Sequence, residues 1–233
     1  MLPLLYVVRM DVEPDYLDEF VKWYDTRHGP DLINTGFHSC SAYHSSLGAP
    51  FICNVYEVPN VELFSSQAYA DVRTNDHQLN DEVLHKISNH SNTTYRQAAT
   101  VGIPESALGD GDKPSRKGAI SAPAVSTLRL NIADDAVEDF KAWFEAAGSM
   151  SDKEGFMRAR LAYQEGKHPT FPSSQPEWII LTEWASVDDA SKVGDEQEVA
   201  AVYDQHFSGQ VSGLDYNVAA LSATLLNAHN WAP

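Results

Sequence analysis

The stretch Trp23-Tyr24-Asp25-Thr26-Arg27-His28-Gly29-Pro30-Asp31-Leu32, followed by Gly36-Phe37, decides how this chain is read. It looks like the end of an amphipathic helix that delivers one histidine to a helix terminus, then a turn, then a strand. Upstream, Leu17, Phe20, Val21, Trp23 and Tyr24 recur at helical spacing through Asp15 to His28, with Asp15, Asp18, Glu19, Lys22 and Asp25 opposite. The acidic first turn suits the positive end of a helix dipole. Gly29-Pro30 is expected to disturb or end the helix, since glycine caps and proline cannot continue the hydrogen bonding.

Working outward, Leu4 to Val12 reads as a strand stopped by Pro14. Gly36 to Ser45 reads as a second strand, Leu47-Gly48-Ala49-Pro50 as a turn, and Phe51 to Val58 as the hairpin partner. Helical patterns over Val61 to Val72 and Leu79 to Ile87 precede a last strand, Thr93 to Ile103. The order is βαββαβ, the split arrangement of ferredoxin-like domains. Pro104 to Pro123 is poor in large apolar residues and carries Gly109-Asp110-Gly111-Asp112, a linker composition.

The pattern then returns. Arg9, Phe20 and Trp23 recur at one constant offset as Arg129, Phe140 and Trp143, and Gly36-Phe37 recurs as Gly155-Phe156 with a one-residue slip. The second unit is Val125 to Ile132, Asp134 to Ala147, Gly155 to Gln164, Glu177 to Ala185, Val187 to Ser208 and Tyr216 to Leu226. The fold class is therefore α+β: a first repeat over 1–104, a linker over 105–123 and a second repeat over 124–233. Each sheet would have helices on one face, so the two bare faces are expected to pack sheet to sheet as an intramolecular barrel.

The formal charge of −17 argues against nucleic-acid partners and anionic membrane surfaces, because phosphate binding needs clustered Lys and Arg. Met1 to Met10 is apolar but too short to span a bilayer, so a cytoplasmic protein is expected. Cys40 and Cys53 are the only cysteines and read as reduced and buried. No glycine-rich phosphate loop, Gly-x-Ser-x-Gly elbow or His-Glu-x-x-His occurs. His77, His85 and His90 lack metal-ligand spacing and read as solvent-facing, so no metal is expected.

By strand alternation Leu5, Val7 and Arg9 share one face, and Val125, Thr127 and Arg129 its counterpart, so both arginines point between the sheets. A buried guanidinium needs an anion. Glu57 and Glu183, at matching third-strand positions, are one source; a substrate carboxylate, phenolate or enolate is the other. His28 is the candidate general base or acid, with Asp25 and Asp31 three residues to either side as its orienting carboxylates. The plainer alternative is a histidine stabilising a helix C-terminus. Gly148 stands where His28 has its counterpart, so acid-base chemistry would be confined to the first half. Tyr43, His44, Asn54, Tyr56 and Tyr95 are further polar candidates on first-half strands, and Trp178, Trp184, Met157 and Phe171 are candidate walls from the second half.

The two-unit layout resembles the dimeric α/β-barrel superfamily, and the phrase of an aromatic pair, His-x-Pro-Asp and Gly-Phe resembles its EthD-like branch. That resemblance implies a cavity bordered by the histidine, and a cofactor-free dehydratase, isomerase or monooxygenase-like protein. The leading expectation is a cofactor-independent lyase or isomerase acting on a small apolar, aromatic or polyketide-like molecule. His28, Arg9 and Asp25 would be its catalytic groups, and Tyr43, Asn54, Tyr95, Arg129 and Trp178 would bind substrate. Two alternatives stand beside it. One is a haem enzyme of the chlorite dismutase-like type with His206 as iron ligand, and the other is a non-catalytic small-molecule binder. Free edges of the sheets leave room for a homodimer.

Overall fold

A computed structural model of the chain describes residues 2–75, 85–104, 113–166, 173, 175–228 and 231. Its strands are β1 (Leu4–Val12), β2 (Ser39–Leu47), β3 (Ile52–Val58), β4 (Ile87–Val101), β5 (Ala124–Ile132), β6 (Phe156–Gln164), β7 (Trp178–Trp184) and β8 (Val211–Leu226). Its helices are α1 (Leu17–Trp23), α2 (Gly29–Asn34), α3 (Gln67–Asn75), α4 (Val137–Trp143), α5 (Val187–Ser191) and α6 (Glu196–Phe207). The strands, all antiparallel, close into one barrel in the order β1-β3-β2-β8-β5-β7-β6-β4.

Alternation positions everything that follows. On β1, Leu5, Val7 and Arg9 point into the barrel, while Leu4, Tyr6, Val8 and Met10 point out against α1 and α2. On β5, Val125 points in, and Leu128, Leu130 and Ile132 point out against α4 and α6. The bare faces do bury each other, but as the inside of a closed barrel rather than as two stacked sheets. The seams are β2 with β8 (Ser39 opposite Leu226 through Leu47 opposite Val218) and β4 with β6 (Tyr95 opposite Gln164 through Val101 opposite Ala159). Closure uses up the sheet edges through which a homodimer was anticipated.

Four local expectations need correction. Gly29-Pro30 coincides with a disturbance of the first helix but does not end it. Residues Tyr24–His28 form a π-turn in which Gly29 N–H donates to Tyr24 O, five residues back, and Pro30 falls in the first turn of α2, where a missing N–H costs nothing. The expected helix over Val187 to Ser208 is two helices, broken at Gly194 (φ +125°), after which Asp195 opens α6 with a capping box. β4 begins six residues early, at Ile87, and of the helix expected over Leu79 to Ile87 residues 79–84 lie outside the described residues. Finally, Ser115 to Ala122, linker by composition, lies largely buried across one end of the barrel, with Ile120 fully enclosed in the interior apolar cluster. Its backbone meets the polar groups at that mouth: carbonyls of Lys117, Gly118 and Ala119 accept from Arg158 and Arg160, and Ile120 N–H donates to Glu57. Among the described residues no helix is long and apolar enough to cross a membrane.

Candidate functional site

The predicted site residues do not form one site; the barrel wall sorts them into three compartments. Arg9, Arg129, Tyr43 and Tyr95 are inside the barrel. His28, Asp25, His44, Asn54 and Tyr56 are on the outer face of the first half, where the helices cover the sheet. Trp178 and Trp184 belong to the outer layer of the second half, and Met157 is 45% exposed, so these three do not roof the first-half site. Phe171 and His77 lie outside the described residues. His85 is exposed, as anticipated, whereas His90 is half-buried and burial lowers its pKa.

The compartment under the π-turn holds the reactive groups. Cys40 and Tyr56 sit opposite each other on β2 and β3, both facing out, and Tyr24 reaches down onto them from the π-turn. Its hydroxyl hydrogen-bonds to Cys40 Sγ at 3.2 Å and to the Tyr56 hydroxyl. Asn54, next but one on the same strand face, adds a hydrogen bond to Tyr56. Burial pushes Tyr24 and Tyr56 well above the usual phenol range, and the Cys40 thiol up to about 12. All three therefore stay protonated near neutral pH and act as donors rather than nucleophiles.

His28 closes the layer. Its ring stacks on Trp23 (centroids 4.6 Å apart, 23° between planes) and lies 5.6 Å from Tyr24. One edge of the residue reaches the surface, but Nδ1 is buried and has no hydrogen-bond partner. Burial pulls the imidazole pKa down to about 4, with Asp31 pulling the other way. The ring is therefore neutral at pH 7, with Nδ1 unpartnered and the Tyr24 ring alongside it. Asp31, rather than Asp25, is the carboxylate that His28 feels. Asp25 is turned toward His44, and burial raises its pKa.

Arg9 cannot reach this chemistry. It faces the opposite side of the sheet, and its register puts it beside Cys53, not Glu57; Leu5 is the residue opposite Glu57. The anticipated Arg9–Glu57 and Arg129–Glu183 pairs are therefore absent, because each arginine stands four residues further along its strand than its glutamate's partner. Instead both arginines share Asp215 of β8 at one mouth of the barrel. At the other mouth Arg158 and Arg160 of β6 hold Glu183, with Arg158 Nε at 2.7 Å. Burial alone would raise the Glu183 pKa, but Arg160 and Arg158 more than offset it and hold the carboxyl below the usual range. Glu57 accepts from the Ser39 hydroxyl at 2.7 Å and from Ile120 N–H at 3.0 Å, and burial raises its pKa. Arg158 and Arg160 also donate to carbonyls of Lys117, Gly118 and Ala119, which pins the buried 115–122 segment in place.

The residues missed from sequence are the Tyr24 hydroxyl, Cys40, Asp215, Arg158 and Arg160. The face of β2 that carries Cys40 is fixed by its pairing with β3, where Cys40 stands opposite Tyr56. Asp215 had no signal, since its counterpart beside Arg9 is Ser91.

Among the described residues, the space between α6 and the sheet of the second half leaves no room for haem. His206 is exposed on α6, its ring 5.0 Å from Trp143 and outside the layer. Between α6 and the sheet, Phe140, Phe144, Tyr203 and Phe207 are buried together, and the void beside Tyr203 and Tyr216 is about 10 Å³, room for about one water molecule at most. Among the described residues no three or more His, Cys, Asp or Glu side chains cluster as metal ligands would.

No family model matches the sequence, and no curated protein does. Among solved structures, the chain is similar to an anthrone oxidase-like protein (TM-score 0.65, 12% identity, covering 100% of this chain and 96% of that one). It is also similar to a mutant chlorite dismutase from Candidatus Nitrospira defluvii (TM-score 0.56, 8% identity, 96% and 93% covered). A heme-binding protein from Thermus thermophilus has the same fold (TM-score 0.53, 9% identity, 95% and 92% covered). At these identities the likeness establishes the fold, an eight-stranded antiparallel α+β barrel with ferredoxin-like neighbours.

Proposed function

We propose that this chain is two copies of one βαββαβ unit, 1–104 and 124–233 joined by 105–123, of the EthD-like kind, and that the first copy is a cofactor-independent acid-base enzyme. Matching registers support the first part. Arg9 lies opposite Cys53 and Ser91, and Arg129 lies opposite Ile179 and Asp215; each half also has a π-turn, Tyr24–His28 and Phe144–Gly148.

The observation that carries the second part is the neutral ring of His28, its Nδ1 unpartnered, lying against the buried Tyr24, whose hydroxyl meets that of Tyr56. In the reaction His28 takes a proton from a carbon next to a carbonyl. The C–H electron pair becomes the C=C bond of an enolate, whose oxygen receives a hydrogen bond from Tyr24 or Tyr56. Returning the proton to a different carbon gives isomerisation, and expelling a β-hydroxyl as water gives dehydration. The π-turn must lift from Cys40 and Leu225, which the backbone at Gly29 nearly touches, to admit a substrate. Aromatic walls from Trp23, Tyr24 and Phe20 suit a flat apolar ketone. The anthrone oxidase-like neighbour names one such molecule.

The test is exchange of the methylene protons of anthrone in deuterated buffer without oxygen, followed by NMR. The wild-type protein accelerates exchange, and His28→Gln loses about a hundredfold, the usual contribution of a general base. Equal rates for wild type, His28→Gln and buffer would leave a binding protein in which His28 only packs on Trp23.

A further inference from the structure

The two halves part company just after their π-turns. In the first half the turn runs straight on into α2, whereas the second-half turn Phe144–Gly148 is followed in order by β6. The strands that flank these turns differ in step. Val101 of β4 stands opposite Ala159 as Leu225 of β8 stands opposite Cys40, so the two strand ends correspond. β4 then turns at Gly102 (φ +74°), but the chain leaving β8 stays with the first half and reaches α2.

That tail meets α2 at both ends. Leu225 lies against the backbone at Gly29, where a Cβ would stand 2.9 Å from Leu225 Cδ1 and 3.6 Å from Cys40 Sγ. Two residues on, Asn227 Nδ2 donates to the Ile33 carbonyl at 2.9 Å. This carbonyl belongs to the last turn of α2, where the helix supplies no partner from within its own ladder. The tail is in turn fastened to the start of β2. The Asn227 N–H and the Trp231 indole Nε1–H both donate to the His38 carbonyl, each at 2.9 Å. Trp231 is buried, with its ring 5.6 Å from that of His38.

We propose that Asn227 and Trp231 form a latch by which the second half holds α2 down on Cys40 and sets how often the His28 layer opens to substrate. The latch serves the acid-base reading given above, because a base beneath a closed helix needs an opening step. Its contacts nevertheless involve neither His28 nor substrate. Asn227 and Trp231 are positioning residues that act through α2, and substrate entry in one half is thereby tied to the chain of the other.

Cys40 reports the opening without any substrate. Its thiol lies beneath Gly29, and burial pushes its pKa up to about 12, so it reacts when the layer opens. Cys53, fully buried inside the barrel, gives the rate of global unfolding for reference. The full-length protein and its Asn227→Ala, Trp231→Phe and Trp231→Ala variants are labelled with a neutral pyridyl disulfide at several urea concentrations, and the two cysteines are followed separately by peptide mass. In the wild type Cys40 reacts faster than Cys53 and depends less on urea, the mark of a local opening. Asn227→Ala and Trp231→Phe each lose a side-chain hydrogen bond of the latch and speed Cys40 labelling about fivefold. Trp231→Ala also loses the ring and speeds it at least about tenfold; the other two variants decide the matter if it does not fold. Cys40 labelling that matches Cys53 in rate and urea dependence, or that is unchanged in the variants, overturns the latch. Wild-type protein that fails to speed anthrone exchange while its thiols behave as stated removes the acid-base reading and leaves the latch standing.

Discussion

The two halves share a sheet register and a π-turn but fill the space between helix and sheet with opposite chemistry. In the first half the layer holds Tyr24, Cys40, Asn54, Tyr56 and His28; at the same register positions the second half holds Phe144, Ala159, Ile180, Thr182 and Gly148. Each polar group of the first layer costs desolvation that an apolar side chain would not, as the raised phenol and thiol pKa values and the lowered imidazole pKa record. The second layer is what this architecture looks like when packing alone is served. That difference is what the proposed acid-base role of the first layer requires.

Inside the barrel the contrast reverses. The second half contributes the full ion-pair set, Arg158, Arg160 and Glu183, while the first contributes Glu57 held by Ser39 and a backbone N–H. The largest expected effect follows from this. Glu183→Gln strands two buried guanidiniums and destabilises the fold by about 3–5 kcal/mol, whereas Glu57→Gln keeps an acceptor for both its donors and costs about 1 kcal/mol or less. Urea unfolding of the two variants side by side checks this, and equal losses would erase the contrast.

A slightly smaller effect is read by pH. His28 has a folded pKa of about 4 against an unfolded value near 6.5. Between these values the unfolded chain binds the extra proton, so stability is unaffected above pH 6.5 and falls as pH drops toward 4. The loss attributable to His28 reaches about 3 kcal/mol below the folded pKa. Subtracting the stability-pH curve of His28→Gln isolates it; superimposable curves would mean that the ring is not buried as a base.

Transplanting the histidine tests the second layer. A Cβ at Gly148 would stand 2.3 Å from the Trp143 ring, which packs there against Tyr203 and Phe207. Gly148→His is expected to cost roughly 1–3 kcal/mol by overpacking, seen as a lowered melting temperature, and to add no exchange activity. The smallest effect is Tyr24→Phe, which copies Phe144 into the first half. It removes one hydroxyl from a buried pair and costs about 1 kcal/mol by urea titration. Its exchange rate falls too, but less than that of His28→Gln, because Tyr56 still donates.

Much of this was legible in the chain. The recurrence of Arg9, Phe20 and Trp23 as Arg129, Phe140 and Trp143 located both strand-helix units, since helical and strand periods are local properties of side-chain spacing. Alternation from Leu5 to Arg9 correctly turned both arginines inward, and the histidine missing at Gly148 was visible by inspection. What did not follow was partnership. Arg9 meets Asp215 rather than Glu57 because barrel closure brings β8, more than two hundred residues along the chain, to the same mouth. Cys40 meets Tyr24 because a π-turn, invisible in hydrophobic periodicity, rotates the aromatic onto β2.

By itself, then, the sequence determined the order of most strands and helices, which faces of the first and fifth strands are apolar, and that only the earlier half carries a histidine at the end of its first helix. The tertiary structure alone decided that Ser115 to Ala122 is largely buried, that His28 and Arg9 lie on opposite sides of one sheet, and that two arginines share one aspartate. The physical reason is common to all three. Local spacing fixes the direction of a side chain relative to its own strand, but the identity of the neighbour it meets depends on strand order, register and closure, which are set by contacts between residues far apart in the chain.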